Sequence, residues 1–158
     1  MFVLIDRLNL LNFVTFTCAD FQPCLASSFL LGVGQQFLLE DIKLLTCFER
    51  LLPNETVLCR QTDIAYIRKS ESEVLGSRYA WAHGDVKPWG QELPVQCRGC
   101  GSIRNWLGTK SGGKYVFDCK TQSCETKLVF SPPEHMKWIG KSASGGRWLV
   151  LDIKNLSN

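Results

Sequence analysis

The chain has 158 residues, 45% of them hydrophobic and 21% charged. That balance sits near the globular average and excludes wholesale disorder, and the length suits one ordinary domain or two small ones. The formal net charge of +3 is too small to name a partner, but it is unevenly spread: residues 1–60 carry four Lys/Arg against six Asp/Glu, residues 61–158 fourteen against nine, and residues 97–148 nine against three.

The N-terminal stretch MFVLIDRLNLLNFVTFTCAD is apolar enough to raise the question of a secretory signal cleaved after Ala19. Asp6, Asn9 and Asn12 break the run, and Arg7 is its one basic residue, whereas a signal prefers a basic start and an uninterrupted apolar centre. No stretch approaches the roughly 20 apolar residues of a membrane span. Leu4, Leu8, Leu11 and Val14 recur at helical spacing and predict an amphipathic helix. The expected location is intracellular, nuclear or cytoplasmic, where thiols stay reduced; secretion is the alternative.

After Pro23, the apolar positions Leu25, Phe29, Leu30, Val33, Phe37, Leu38, Ile42, Leu45 and Phe48 sustain a second helical stripe. Gly32 and Gly34 weaken it by about 1 kcal/mol each relative to Ala. One long helix, or two meeting near Gly34, fits this pattern. Pro53 and Asn54 end it, and the β-branched ETVLC at 55–59 reads as a short strand. A further helix is expected over QTDIAYIRKSESEVLG, with Thr62 or Asp63 as its N-cap and Gly76 closing it. Residues 77–93, with Trp81 and Trp89 beside Gly84, Pro88 and Gly90, read as an ordered irregular connection.

From residue 94 the period changes to two. KYVFDC alternates Lys114, Val116 and Asp118 with Tyr115, Phe117 and Cys119, and the Ser-Gly-Gly at 111–113 is a turn between it and RNWLGTK. TKLVF is a further short strand. MKWIGK and RWLVLDI flank SASGG and predict a C-terminal hairpin turning at 142–146. The expected fold class is therefore α+β: a mainly helical region 1–76, the connection 77–93, and a small antiparallel β module with a C-terminal hairpin over 94–158.

Four of the eight cysteines fall in this β module, as Cys97-x2-Cys100-x18-Cys119-x4-Cys124. Zinc takes four sulfur or nitrogen ligands in a tetrahedral structural site. A two-residue gap lets both sulfurs of a tight turn face one centre, and Gly99 and Gly101 free the backbone to make that turn. Eighteen residues suffice for an out-strand, a turn and a back-strand, which bring the second pair beside the first. These residues resemble the zinc-ribbon class over about residues 94–131, with a wider gap in the second pair than that class usually has. The resemblance implies a structural Zn²⁺ held by Cys97, Cys100, Cys119 and Cys124. Two disulfides are the alternative if the chain is secreted, and an iron–sulfur cluster is disfavoured by the lack of a recognised spacing.

Cys18, Cys24, Cys47 and Cys59 are expected to be core thiols. Cys47 or Cys59 with His83 as base is the one dyad the inventory allows for covalent catalysis, and nothing but that inventory supports it. No P-loop, dinucleotide fingerprint or metalloprotease motif is present. Arg98, Arg104, Lys110, Lys114, Lys120 and Lys127 are candidate phosphate contacts, with Trp106 as a candidate stacking residue; the alternative is a solvated lysine face over an aromatic core. The expected function is a zinc-stabilised binding module, nucleic-acid-associated or regulatory. The alternatives are a protein-interaction or self-association module acting through the N-terminal helices, or a piece of a larger assembly; a cysteine-dependent enzyme ranks last.

Overall fold

The computed structural model describes residues 12–18, 20–69, 73–143 and 145–153. The chain is α+β and divides into two units, residues 1–81 with 135–158, and residues 82–134.

The first unit opens with strand β1 (Asn12–Phe16). This corrects the helix expected there at Val14; Leu4, Leu8 and Leu11 lie outside the described residues. NFVTF is rich in aromatic and β-branched side chains, which favour a pleated surface. Its antiparallel partner is β2 (Ile64–Lys69), in the register Val14 to Tyr66. Phe16 stacks on Phe21 with ring centroids 4.2 Å apart.

The helical stripe after Pro23 forms, but it breaks at 40–43 rather than near Gly34. A 3₁₀ turn (Pro23–Ala26) leads into α1 (Ser27–Gly34), which continues as a π-helical turn over Gln35–Leu39. Helix α2 (Leu44–Leu51) follows, and a 3₁₀ turn at Leu52–Asn54 contains Pro53. The strand expected at 55–59 is instead a turn leading into the one-turn helix α3 (Leu58–Gln61), in which the Cys59 amide donates to the Glu55 carbonyl at 3.3 Å.

The helix expected over 61–76 is two strands, β2 and β3 (Val74–His83). Ile64, Ala65, Tyr66 and Ile67 are all buried. Consecutive burial is what a strand covered on both faces requires, and such a run loses the alternation that distinguishes strand from helix. Thr62 caps no helix; its hydroxyl accepts the amides of Thr17 and Cys18 at 3.0 and 3.1 Å. Asp63 is buried and paired with Arg78 across the β2–β3 ladder. Gly76 lies within β3 opposite Ile67, so the irregular connection begins only after His83.

The C-terminal hairpin forms as β7 (Met136–Ala143) and β8 (Gly146–Ile153). It completes a five-stranded sheet in the order β1-β2-β3-β8-β7. Helix α2 places Phe48 at the middle of this unit's core, with centroids 5.3 Å from Phe29, 5.9 Å from Tyr66 and 5.1 Å from Tyr79. Leu52, Leu58, Ile64, Trp81, Ile139 and Trp148 complete the cluster. Burying each large apolar side chain stabilises the fold by roughly 1.5–3 kcal/mol.

The second unit contains a three-stranded antiparallel sheet, β4 (Trp106–Ser111), β5 (Lys114–Cys119) and β6 (Lys127–Phe130). The predicted turn is a two-residue loop in which Gly112 and Gly113 have φ of 55° and 77°. Positive φ at both central positions gives the turn twist that matches paired strands, and glycine adopts it without steric cost. Phe117 is 1% exposed and meets Phe130 edge-on at 5.7 Å. Before β4 the chain runs irregularly, with a 3₁₀ turn at Pro88–Gly90 and Trp89 buried within it.

Candidate metal centre

The first cysteine pair lies in a turn just before β4. The Gly101 amide donates to the Cys97 carbonyl at 2.8 Å and the Cys97 amide to the Ser102 carbonyl at 2.9 Å, so the chain folds back within five residues. Gly101 has φ +73°, a region in which a side chain is strained. A Cβ on Gly99 would overlap the Thr126 hydroxyl, so glycine is needed there for close approach of the two turns. The second pair leaves the end of β5. Cys119 is paired with Trp106 across the ladder. Its amide donates to the Thr126 carbonyl at 3.0 Å, and the Cys124 amide donates to Thr121 at 3.0 Å. Both turns are thus backbone-closed without help from the sulfurs.

The four sulfurs converge. Cys97 and Cys124 Sγ are 3.7 Å apart, Cys100 and Cys119 Sγ 3.6 Å, and all four lie within 4.8 Å of one another. A tetrahedron with Zn–S bonds of about 2.3 Å has sulfur–sulfur edges of about 3.8 Å, close to both of these separations. A disulfide would need about 2.05 Å, so neither pair is bonded. The donor set and its spacing fit a metal ion. Cys97 and Cys119 are buried, Cys124 is half-buried and Cys100 is exposed. A shallow recess of about 340 Å³, lined by Gly99, Cys100 and residues 122–126, opens beside Cys100 and Cys124.

Hydroxyl groups surround the sulfurs. Ser102 Oγ lies 3.2 Å from Cys100 Sγ and 3.5 Å from Cys119 Sγ. Thr121 donates its hydroxyl to Ser102 at 2.8 Å, and the Asn105 side-chain Nδ2 donates to the Thr121 hydroxyl at 3.0 Å. Thr126 Oγ1 lies 3.3 Å from Cys124 Sγ. Hydrogen bonds from Ser102, and then Thr121, hold the Cys100 thiol down at about 5 and lower that of Cys119. At Cys124 the Thr126 hydrogen bond lowers the pKa, but burial and the neighbouring thiols of Cys100 and Cys97 outweigh it and the thiol is raised. Cys100 is therefore poised as thiolate at neutral pH, which is the form that binds metal.

The candidate phosphate contacts are not gathered on one face. All six cations, Arg98, Arg104, Lys110, Lys114, Lys120 and Lys127, are exposed. The β4–β5–β6 register puts Lys110 with Trp106 on one face of the sheet and Lys114 with Lys127 on the other. Lys110 Nζ lies 5.5 Å from the Tyr115 ring centroid and 5.9 Å from that of Trp89, and Lys127 pairs with Asp118 at 3.3 Å. Trp106 is half-buried and donates its indole N–H to the Pro94 carbonyl at 2.9 Å. Arg98, Arg104 and Lys120 lie in the turns beside the cysteines.

Cys47 and Cys59 are buried as expected, their thiols donating to the carbonyls of Ile42 at 3.5 Å and Thr56 at 3.0 Å, whereas Cys18 is half-buried and Cys24 is exposed, which corrects the core position expected for it. His83 Nδ1 accepts the Asp85 amide at 3.1 Å. The hydroxyl groups were the residues that sequence reasoning passed over. Their signal is visible in retrospect: a Ser or Thr stands two positions after three of the four cysteines, in Cys100-x-Ser102, Cys119-x-Thr121 and Cys124-x-Thr126. No helix among the described residues is long and apolar enough to cross a membrane. Compared with protein-family models, with curated proteins and with solved structures, the chain matches none.

Proposed function

We propose that residues 82–134 form a zinc-stapled binding module in which the metal is structural. The observation that carries this reading is the convergence of four sulfurs within 4.8 Å, with edges of 3.6 and 3.7 Å. Cys97, Cys100, Cys119 and Cys124 would hold the ion and leave no open position for water, so the metal would supply folding free energy rather than Lewis-acid chemistry. The small sheet has few fully buried large side chains of its own, Phe117 chief among them, and a small unit of this kind is usually stapled by metal or disulfide. A tetrahedral set of four thiolates also suits iron, and elemental analysis of the purified chain separates the two: zinc without visible absorbance supports this reading, iron overturns it.

A second reading, contact with nucleic acid, is favoured by the exposure of Arg98, Arg104 and Lys120 in the turns that the metal would hold rigid. The charge balance sets its strength. The unit carries seven Lys/Arg and five Asp/Glu. Four thiolates around one Zn²⁺ bring its net charge of +2 to about zero. Any such binding therefore rests on local phosphate contacts, not on a broad basic field. Titration at rising salt tests it: three contacts to duplex DNA give a slope of about −2.7 in log K against log salt, and no binding at low ionic strength removes this reading while leaving the metal staple intact.

A further inference from the structure

The segment from Phe21 to Leu39 contains no charged residue. Its buried side is provided by Ala26 and Phe29, both 0% exposed, with Val33 packed against the core. Its other side is apolar as well. Leu30 is 46% exposed, Leu31 74%, Phe37 42%, Leu38 74% and Leu39 81%. Leu30 and Leu31 stand on α1, and Phe37, Leu38 and Leu39 on the π-helical turn that continues it. The π-helical turn at Gln35–Leu39 is closed by the Glu40 amide on the Gln35 carbonyl at 3.2 Å. Phe37, Leu38 and Leu39 stand exposed in succession along this turn. Gly34 lies between the two sets in sequence, with nothing within 4 Å of where its Cβ would be.

We propose that this face is the contact between two copies of the chain. Side chains of these sizes and exposures present on the order of 500 Å² of apolar surface, at the upper end of what the largest patch of a monomer carries. A standard interface buries about 800 Å² per partner, and homodimer interfaces are about 65% apolar. The apolar area such an interface needs is thus about what this patch supplies. The charge pattern selects a second copy over other occupants. A partner of either sign finds no charge to pair with between residues 21 and 39. The bordering charges in sequence are Asp20, Glu40, Asp41 and Lys43, predominantly acidic, which disfavours the anionic lipid surfaces that interfacial helices usually bind through Lys and Arg. A two-fold contact of the face with itself needs no complementary charge, only shape and apolarity.

The test is sedimentation velocity of the full chain across micromolar concentrations, for the wild type, for L31K/L38K, and for V129K as a control. Leu31 and Leu38 are mostly in water already, so their replacement removes little from the monomer's core. Val129 is 55% exposed and lies in the second unit. The wild type and V129K should sediment as dimers and L31K/L38K as monomers with an unchanged circular dichroism spectrum. A wild type that is monomeric throughout overturns the proposal, as does a folded L31K/L38K that stays dimeric. Wild-type chain that is monomeric but co-floats with phosphatidylcholine vesicles assigns the face to lipid and overturns it too. Should L31K/L38K misfold, hydrogen exchange of the wild type decides: protection over 27–39 that rises with concentration supports the contact, and its absence in a dimeric sample places the interface elsewhere.

Discussion

Cys97 and Cys124 are 27 positions apart in sequence, yet their sulfur atoms are 3.7 Å apart. The β4–β5 hairpin produces this closeness, because the Trp106–Cys119 pairing brings the turn before β4 beside the turn after β5. A Cβ on Gly99 would leave no room for Thr126, so the approach depends on backbone geometry as well as on the cysteines.

If the centre is a zinc staple, replacing Cys97 or Cys119 by Ser abolishes stoichiometric zinc binding. Apparent binding free energies of structural zinc are about 10–16 kcal/mol, far more than so small a sheet can replace. Hydrogen exchange in the presence of a chelator should show residues 82–134 losing protection first, with the β1-β2-β3-β8-β7 sheet retained.

Ser102 hydrogen-bonds two sulfurs and Thr121 positions Ser102. Groups that orient metal ligands usually contribute 10–100-fold in affinity. The S102A substitution should weaken zinc affinity by about that factor, measured by competition with a chromophoric chelator. T121A should give a smaller loss, and S102T should restore part of it.

The core of the first unit should lose stability at alkaline pH. Burial raises the Tyr79 hydroxyl above its usual value of 10.0, with the Glu49, Tyr66 and Asp152 charges adding to it, and burial raises the Cys47 thiol above 9.0. Above those ordinary values the unfolded chain releases protons that the folded chain retains, so stability is fully present below pH 9.0 and falls as pH rises beyond 9.0 and 10.0. Urea midpoints should fall across that window, and the Y79F variant should fall less steeply.

Phe48 is 0% exposed and touches the rings of Phe29, Tyr66 and Tyr79. Removing it leaves a cavity shared by helix and sheet. F48A should cost about 3–5 kcal/mol in denaturant unfolding, while leaving zinc stoichiometry unchanged.

The cysteine spacing was readable because ligand geometry is local: two turns joined by a hairpin, with Gly99 and Gly101 marking the first turn and no glycine in the second. The same holds for the Gly112-Gly113 turn and the C-terminal hairpin. The N-terminal half was harder to read. Ile64–Ile67 are buried on consecutive positions, so their apolar run carries no period, and the neighbouring Ile67, Val74 and Leu75 mimic a helical face. Val14 fitted a helical stripe only through residues outside the described part. Strand pairing decided both cases: β1 is held by a partner about 50 positions away, which leaves no mark on a local window, and β2 pairs also with β3, from Lys69 opposite Val74 to Ile64 opposite Tyr79. The distribution of the cations was equally hidden, since Lys110 and Lys114 are close in sequence but stand on opposite faces of the sheet.

The central claim is tested most directly by elemental analysis of the purified chain combined with a count of reactive thiols. The account predicts one zinc per chain, with Cys97, Cys100, Cys119 and Cys124 unreactive until a chelator is added. A chain that holds no metal when purified and binds none when zinc is supplied, with these four thiols reactive from the start, would contradict it.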